Sequence, residues 1–469
     1  MIGTSNDGGT MNNPLSENRT IIFFITLIIL CCNLSSAQSN GGSNNIETNQ
    51  DSIKAELSKA LDSEFKLFYP LSFDTVYGGY FSDINYKWQL EGKQDKMIVT
   101  QSRHIWANAN AALFYPGKEQ YKKAALQGFD FIKNVMWDKQ YGGFFNIVNR
   151  KGKPYRDNAN GSIIKLVYGN SFALFALSAY YKAFGDTAAL NLAVKTFKWI
   201  EDHCYDPKYG GYFQFVTNEG DPLPDGYKGI PPKDQNSMIH VMESFTELYS
   251  VWPDKLLKER LIELFLIIRD KVAGNKGYMT QYFLYDMTPV SYKDSVEIAR
   301  RTNFIFDHIS FGHDVETAYL MLYASKILGI KNDTATLRIA KELVDFTLNN
   351  GWDTVNGGIY DRGYVFNGET KAKIVLNTKE WWSQIEALNS LLLMYRLFPG
   401  DRMNYYEKFC IQWNYIKKYI IDNKYGGWYW NGIDTDPRSK FTAKATIWKC
   451  DYHTTRGLIN CINMLNDKK

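Results

Sequence analysis

The chain has 469 residues, of which 45% are apolar and 15% are aromatic, and its formal net charge at pH 7 is +4. This length and apolar content predict a globular protein with one large core or two domains. The charge is spread along the chain without a basic run or tail, so nothing in it indicates a nucleic-acid-binding protein.

The N-terminal residues have the pattern of a cleaved export signal. Arg19 precedes an apolar stretch at 21–34, and the small residues Ser-Ser-Ala follow it. The apolar stretch is too short for a comfortable membrane span. We therefore expect residues 1–37 to be removed and a Ser/Asn/Gly-rich, disordered lead-in at 38–51. The mature protein is expected to be exported, in the periplasm, without a stable membrane span.

Two of the six cysteines, Cys31 and Cys32, lie inside the apolar stretch and make a lipoprotein anchor an alternative, although Leu30 is larger than such a cleavage site favours. The other four show no CxxC spacing and no metal-ligand pattern. A chain of this size does not need disulfides, so we interpret them as buried small hydrophobes that could pair only in an oxidising compartment. They are Cys204, Cys410, Cys450 and Cys461.

One short pattern recurs along the chain: Asp, three residues, then Gly-Gly and usually an aromatic residue. A Gly-Gly pair permits the positive φ that a tight turn requires, so we interpret the copies as structural turns, with a loop rim around a site as the alternative. Clear copies are at Asp74/Gly78-Gly79, Asp138/Gly142-Gly143, Asp206/Gly210-Gly211, Asp353/Gly357-Gly358 and Asp422/Gly426-Gly427, with a degenerate sixth at Gly277-Tyr278.

Helical periodicity fills the segments between these turns, as at 172–181, 261–268 and 388–397, while residues 143–147 alternate as a short strand does. Six units of two helices and a short β-turn element predict an all-α fold. We expect an (α/α)6 barrel of inner and outer helices with short β-turn elements at the Gly-Gly loops, in one domain at 52–469. An open helical solenoid is the alternative.

Three of the six histidines have a charged residue three positions later, which a helix would place on the same face. Because the unperturbed pKa of histidine lies near neutrality, this arrangement suggests proton transfer. The alternative is a set of ordinary half-buried histidines satisfied by their neighbours. The pairs are His240 with Glu243, His313 with Glu316, and His453 with Arg456.

Each repeat unit also carries one polar cluster in a predicted helix. In a ring of inner helices these clusters would converge on the axis, as a catalytic site requires. His308 lies outside them and is expected to tolerate substitution. The clusters are Arg103 with Trp106, Tyr168, Asn236 with His240 and Glu243, His313 with Glu316, Trp382 with Glu386, and Trp448 with His453 and Arg456.

Five motifs make the chain resemble the N-acylglucosamine 2-epimerase superfamily, and within it the cellobiose 2-epimerases. They are Ser-Arg-x-x-Trp at 102–106, Asn-x3-His-x2-Glu at 236–243, Gly-His-Asp-x-Glu at 312–316, Trp-Trp-x-Gln-x-Glu at 381–386 and Trp-Lys-Cys-x-Tyr-His-x2-Arg at 448–456. The resemblance implies an (α/α)6 barrel and a cofactor-free epimerisation at C2 of the reducing-end sugar of a β-1,4-linked disaccharide. Cellobiose would become glucosyl-mannose, and mannobiose would become mannosyl-glucose.

The resemblance also implies roles for residues. His313 and His453 would exchange the C2 proton on opposite faces of an enediolate, Arg103 would stabilise the oxyanion, and His240 would assist at the carbonyl or in ring opening. The substrate-binding set would be Tyr168 and Asn236 on hydroxyls, Glu243 and Glu316 orienting histidines, Trp382 and Trp448 stacking on sugar rings, and Trp381 and Glu386.

The chain departs from that family at Asp451, where proline is usual, and at Thr454, where asparagine is usual. The loops at 223–227 and 364–377 also differ and border the expected cleft. The alternatives are therefore an N-acylglucosamine 2-epimerase or a mannose isomerase. A glycoside hydrolase on the same barrel is a further alternative, but it would need two carboxylates across the scissile bond, and no such pair matches a motif.

Metal and cofactor sites are not expected. Histidine and glutamate three apart also occur in di-metal helical bundles, but Arg103 and Arg456 in the same clusters argue against a second cation there. No phosphate-cradling glycine loop is present. The expected partner is a disaccharide substrate, and the expected assembly is a monomer or weak dimer.

Overall fold

Twelve long helices among the described residues form two rings. The computed structural model describes residues 42–157 and 160–467, with side chains from residue 49. The inner helices are α2 (Ile98–Phe114), α4 (Val167–Phe184), α6 (Gln235–Val251), α9 (Phe311–Ile327), α11 (Trp381–Leu397) and α13 (Tyr452–Asn466). The outer helices are α1 (Gly42–Phe68), α3 (Glu119–Phe131), α5 (Thr187–Cys204), α7 (Lys255–Ile267), α10 (Thr334–Asn350) and α12 (Tyr405–Tyr415). A short helix, α8 (Glu297–Asn303), precedes α9.

The inner ring closes on itself. Each inner helix contacts the next one along the chain, and α13 contacts α2, so the six helices surround a common axis. Outer helix α1 packs against α13, and each other outer helix packs against the inner helix before it. These contacts confirm the predicted (α/α)6 barrel and exclude the open solenoid.

The apolar pattern explains which helix takes which ring. Every residue from Gly169 to Tyr180 of inner helix α4 is buried, as expected for a helix with neighbours on all sides. Outer helix α5 has only one apolar face, with buried residues three or four positions apart. Those residues include Ala189, Ala193, Phe197 and Ile200.

Short strands join neighbouring units at the end of the barrel where the inner helices begin. The antiparallel pairs are β1 (Lys96–Met97) with β2 (Ile147–Val148), β3 (Ile164–Leu166) with β4 (Phe215–Thr217), β5 (Lys233–Asp234) with β6 (Tyr282–Phe283), and β7 (Ile309–Ser310) with β8 (Arg362–Tyr364), which also pairs with β9 (Lys373–Leu376). Strands β1, β3, β5 and β7 each lead directly into an inner helix, so the loops gather around this mouth of the barrel.

The Asp-x3-Gly-Gly pattern forms a tight turn in which few other residues would fit at the aspartate and glycine positions. In the first copy, Asp74 Oδ1 accepts two backbone N–H groups of its own turn, both at 3.1 Å. Gly79 has a φ of +66°, and a Cβ there would lie 2.5 Å from Gln101 Oε1. Both observations support the interpretation of these glycines as structural turn residues.

A buried lysine holds each of the five complete turns, because its Nζ donates to the turn aspartate. The pairs are Lys96–Asp74 at 3.0 Å, Lys165–Asp138 at 2.8 Å, Lys233–Asp206 at 2.6 Å, Lys379–Asp353 at 2.7 Å and Lys444–Asp422 at 2.7 Å. In the degenerate sixth unit, residues 272–279 include no aspartate, and Ile309 stands where a lysine would precede the inner helix. Losing both partners together leaves no uncompensated buried charge.

Lys165→Met is expected to lower the free energy of unfolding by about 3–5 kcal/mol, because it leaves the Asp138 carboxylate buried without its cation. Lys165 Nζ also donates to the carbonyls of Gly142 and Asn218, both at 2.7 Å. Urea denaturation measures the loss. Replacing Asp138 by leucine in the same chain should recover part of it, and a single variant as stable as the wild type would contradict the expectation.

Outer helix α1 begins within the predicted lead-in at 38–51. The export signal predicted at 1–37 lies outside the described residues, as does the beginning of the lead-in. Residues 42–51 of the lead-in predicted at 38–51 are part of α1, which begins at Gly42. The physical reason is that an apolar stripe further along anchors the helix on the core, and polar residues before it extend the helix at little cost. The stripe is Ile53, Leu57, Leu61 and Phe65.

Two other sequence predictions concern the cysteines and a membrane span. Cys204, Cys450 and Cys461 are buried, Cys410 is half-buried, and none of these four is in a disulfide. Within residues 42–157 and 160–467, every helix is too short or too polar to cross a membrane.

Candidate active site

The predicted site residues occupy equivalent positions in the inner helices, at the mouth that carries the loops. Those near the helix starts are Tyr168, Asn236, Trp382 and His453 at the second position and His313 at the third. Those at the fifth or sixth position are Arg103, His240, Glu316, Glu386 and Arg456. Because an α-helix repeats every 3.6 residues, the two sets form two successive layers, the second one turn deeper.

His240 has the partner predicted for it. Its Nδ1 donates to Glu243 Oε2 at 2.8 Å, as expected for residues three apart on a helix. Burial alone would raise the pKa of Glu243, but the Arg456 guanidinium and the hydrogen bond from His240 together outweigh burial and hold that pKa below its usual range. An ionised carboxylate accepts the Nδ1 proton and leaves Nε2 of the ring available.

His313 and His453 have partners other than those predicted. His313 Nδ1 is 2.8 Å from Ser310 Oγ, whereas Glu316 binds Arg456, so the prediction that Glu316 orients His313 is wrong. The reason is competition, since the Arg456 guanidinium binds the Glu316 carboxylate and Ser310 Oγ lies beside His313 Nδ1. His453 Nδ1 donates to Glu386 Oε1 of α11 at 2.8 Å instead of pairing with Arg456 of its own helix.

Arg456 joins three buried glutamates that come from three helices. Its guanidinium donates to Glu243 Oε1 at 2.5 Å, to Glu386 Oε1 at 2.6 and 3.2 Å, and to Glu316 Oε1. None of the four side chains is more than 4% exposed. These contacts give Glu243, Glu316 and Glu386 a supporting place below the cleft.

One group of side chains in this layer has the ligand types of a metal site. Glu316, Glu386 and His453 present three ligand atoms within 4.8 Å of one another. Arg456 Nη2 donates to both glutamates, so a cationic group already lies between them. A metal ion would have to displace the guanidinium, which argues against a metal at this position.

Arg103 lies between three inner helices. Its Nη2 donates to the hydroxyl of Tyr168 at 3.1 Å and its Nη1 to the carbonyl oxygen of Trp448 at 3.2 Å. The guanidinium is 4.4 Å from the centre of the Phe172 ring. Arg103 Nε has no hydrogen-bond partner among the described residues, so one donor is left for an anionic oxygen.

Trp382 contacts both predicted catalytic histidines. Its ring centre is 4.7 Å from that of His313 and 5.6 Å from that of His453. Trp448 is 48% exposed, and its backbone is tied to Arg103. A flat, exposed ring beside the site is suited to stacking on a second ring of a bound molecule.

Trp381 lies in the core, although it was predicted to bind substrate. It is 4% exposed, its ring centre is 4.8 Å from that of Trp430, and Lys449 Nζ lies 4.8 Å from its ring. Successive helix positions are about 100° apart, so Trp381 and Trp382 cannot both face the cleft.

A cleft with a volume of about 180 Å³ opens beside His313, and Trp382 and Asn236 also line it. Several lining residues were not predicted from the sequence: Gln281, Tyr282, His308, Asp361, Arg362 and Glu380. Two of them pair in register with the residue directly before an inner helix, Tyr282 with Asp234 and Arg362 with Ser310. Strand pairing is therefore the signal that could have found them.

Burial lowers the pKa of the histidines around the cleft. It lowers the pKa of His313 to about 4 and that of His308 to about 3. Burial, followed by the charge of Arg103, moves the pKa of His453 well below its usual range. In the free protein all three rings are neutral at pH 7, and His313 and His453 are able to act as bases.

Comparisons with known proteins agree with one another. The family model described as N-acylglucosamine 2-epimerase (GlcNAc 2-epimerase) matches residues 79–456. Cellobiose 2-epimerase of Bacteroides fragilis is 26% identical over 88% of this chain and 99% of the relative. That of Ruminococcus albus is 29% identical over 86% and 96%. The structure of cellobiose 2-epimerase from Spirochaeta thermophila superposes with a TM-score of 0.77 at 27% identity, covering 89% of this chain and 98% of that one.

Proposed function

The chain belongs to the N-acylglucosamine 2-epimerase family and is an isomerase of the carbohydrate epimerase class, and from this premise we propose its substrate and mechanism. The substrate is a β-1,4-linked disaccharide, and the reaction inverts C2 of the reducing-end sugar. Cellobiose becomes glucosyl-mannose and mannobiose becomes mannosyl-glucose. The relatives named cellobiose 2-epimerase support this choice, because they match nearly their whole lengths.

The observation that carries the mechanism is that His313 and His453 both contact the Trp382 ring, with ring centres 4.7 and 5.6 Å away. Each has a hydrogen-bond partner at Nδ1, Ser310 for His313 and Glu386 for His453, which leaves Nε2 for the reaction. Ring opening exposes the C1 carbonyl and makes the C2 hydrogen acidic. One histidine removes this proton and the other adds a proton to the opposite face of the planar enediolate.

The second histidine must be protonated when it donates, and the negative charge of the enediolate beside it favours that form. Arg103, with an unused donor at Nε, stabilises the same charge, and His240 assists at the carbonyl or in ring opening. Trp448 offers its exposed ring to the second sugar, which supports a disaccharide over a monosaccharide.

The alternatives are an N-acylglucosamine 2-epimerase, a mannose isomerase and a glycoside hydrolase. Asp234, Asp361 and Glu380 are the carboxylates that line the cleft. Asp234 Oδ1 caps α6 by accepting the backbone N–H of Ser237 at 3.1 Å, and Asp361 Oδ1 accepts the backbone N–H of Glu380 at 2.8 Å. Neighbours on one wall do not flank a glycosidic bond as a hydrolase requires. No specific contact favours the other two alternatives.

Proton NMR in D2O tests the proposal. Cellobiose, mannobiose, N-acetylglucosamine, mannose and fructose are each incubated with the protein, with and without EDTA. We expect the two disaccharides to be converted to their C2 epimers with deuterium at C2, at the same rate with EDTA. Conversion of a monosaccharide alone, release of free glucose from cellobiose, or loss of activity in EDTA with recovery on adding a divalent metal would overturn the proposal.

The histidine signals give a pH test that needs no substrate. The Hε1 signal of His313 should titrate near pH 4 instead of near pH 6.5, because burial disfavours the charged ring. A histidine pKa below its unfolded value means that protonation favours unfolding, so the contribution of His313 to stability is full above about pH 6.5 and falls below it. Circular dichroism at each pH confirms that the folded protein is titrated. A midpoint at or above 6.5 would contradict the expectation.

A further inference from the structure

The orientation of one indole affects both catalytic histidines. Trp382 touches His313 and His453. A Cβ on Gly312 would lie 2.7 Å from Trp382 Cη2, so the backbone of α9 fits closely against the ring. If the ring turned, the surroundings of both histidines would change together.

Glu380 is bound to this indole. Its Oε2 accepts the N–H of Trp382, and its Oε1 is 3.4 Å from Nε1 of Trp430. Trp430 packs edge-on against the buried Trp381 at 4.8 Å. One carboxylate therefore connects the tryptophan of the cleft to a tryptophan pair that is fixed in the core.

Glu380 is held in turn by Asp361. Asp361 Oδ1 accepts the Glu380 backbone N–H, and the hydroxyl of Thr378 donates to Asp361 Oδ2. Burial and the neighbouring Glu380 charge raise the pKa of Asp361 to about 7. Asp361, next to strand β8, thus fixes the backbone of Glu380, and the Glu380 side chain extends from this fixed point to Trp382.

We propose that Glu380 is a positioning residue that acts through the Trp382 indole N–H and so sets the relation between the cleft and its two histidines. This proposal rests on the proposed epimerase function for its kinetic test but not for its spectroscopic test. Glu380 is also the residue before α11, where a negative charge favours the helix N-terminus. That role alone predicts a change in stability and leaves turnover per folded molecule unchanged.

The kinetic test is a cycle of Glu380→Gln, Trp382→Phe and the double variant, with cellobiose as substrate. Phenylalanine keeps a ring against the histidines but has no N–H. We expect each single variant to lower kcat about 10- to 100-fold, the range for losing a hydrogen bond to a charged group, and to change KM much less. The double variant should be no worse than the poorer single variant, because both remove the same contact. Glu342→Gln, which loses a surface pair with Arg338 on outer helix α10, is the matched control and should keep wild-type kinetics.

The spectroscopic test uses the ring current of Trp382 in the absence of substrate. In protein with labelled histidines, Glu380→Gln should shift the ring signals of His313 and His453 and leave that of His203, which packs on Trp199, in place. Unchanged His313 and His453 signals, wild-type kcat in Glu380→Gln, or multiplied losses in the double variant would each overturn the proposal. If the wild type turns over none of the sugars, the epimerase function fails, while the histidine signals still decide the role of Glu380.

Discussion

His313→Asn and His453→Asn are each expected to lower the rate of C2 epimerisation by more than about 10⁴-fold, beyond the usual effect of one acid–base group. Inversion needs a base on one face of C2 and an acid on the other, so loss of either histidine stops both directions. Initial rates of glucosyl-mannose formation from cellobiose measure the effect, with the amount of folded protein taken from circular dichroism.

In these variants, exchange of the C2 hydrogen should continue on one epimer while inversion at C2 is largely lost. With one histidine left, proton removal from the epimer that faces it still occurs, and deuterium returns to the same face. A variant should therefore place deuterium at C2 of one epimer while forming little of the other. Measuring exchange on cellobiose and on glucosyl-mannose in each variant assigns each histidine to its face.

The control for this pair is His203→Asn rather than a change at His308. His308 was expected to lie outside the site, but it lines the cleft. His203 lies on outer helix α5, where its Nδ1 is 3.0 Å from the carbonyl oxygen of Gly220. His203→Asn should keep wild-type kinetics. Near wild-type epimerisation by a folded His313→Asn or His453→Asn protein would refute the two-histidine mechanism.

The repeat made the fold predictable from sequence. The Asp-x3-Gly-Gly turns divide the chain into units, and the segments between them carry helical periodicity, so the barrel follows from the unit count. Position within each unit was also readable, since every motif lies at the start of an inner helix or directly before it. The contact between α13 and α2 was not readable, because it joins the two ends of the chain.

The partners of the site residues were predictable only within one helix. The contact between His240 and Glu243 follows from a three-residue spacing. The contact between His453 and Glu386 joins residues 67 positions apart, and it depends on how α13 faces α11. Spacing on a single helix does not contain that information, which is why Arg456 was assigned to His453 and Glu316 to His313.

The same limit explains the errors in the substrate-binding set. A motif places Trp381 and Trp382 side by side, but helix geometry sends one to the core and the other to the cleft. Asp361 and Glu380 belong to none of the five motifs and are 19 positions apart. They meet only because the start of β8 and the start of α11 come together. Side chains that reach the cleft from strands can be predicted only if the strand-pairing register is known, and the sequence alone does not give that register.

Arg456→Met is expected to destabilise the protein by at least about 3–5 kcal/mol at neutral pH, because it leaves three buried carboxylates without their cation. The three are Glu243, Glu316 and Glu386, and two of them also hold His240 and His453. Epimerisation per folded molecule should therefore fall as well. Arg456→Lys keeps the charge but cannot present several donors in one plane, so it should restore only part of the loss.

The pH dependence of Arg456→Met identifies the cause. Without the guanidinium, burial and mutual repulsion raise the pKa of Glu243 and Glu316 above their unfolded values. They raise further the pKa of Glu386, which burial already raises in the wild type, so folding favours the protonated forms of all three. The stability of the variant should then be greatest near pH 4 to 5 and should be lost as pH rises towards about 8, and the gap to the wild type should widen over the same range. Urea denaturation at several pH values measures this. Arg338→Met, which breaks the exposed pair with Glu342 on outer helix α10, is the matched control and should cost at most about 1 kcal/mol with little change across pH. A constant loss across pH in Arg456→Met would show that packing, and not the charge of the three carboxylates, accounts for the effect.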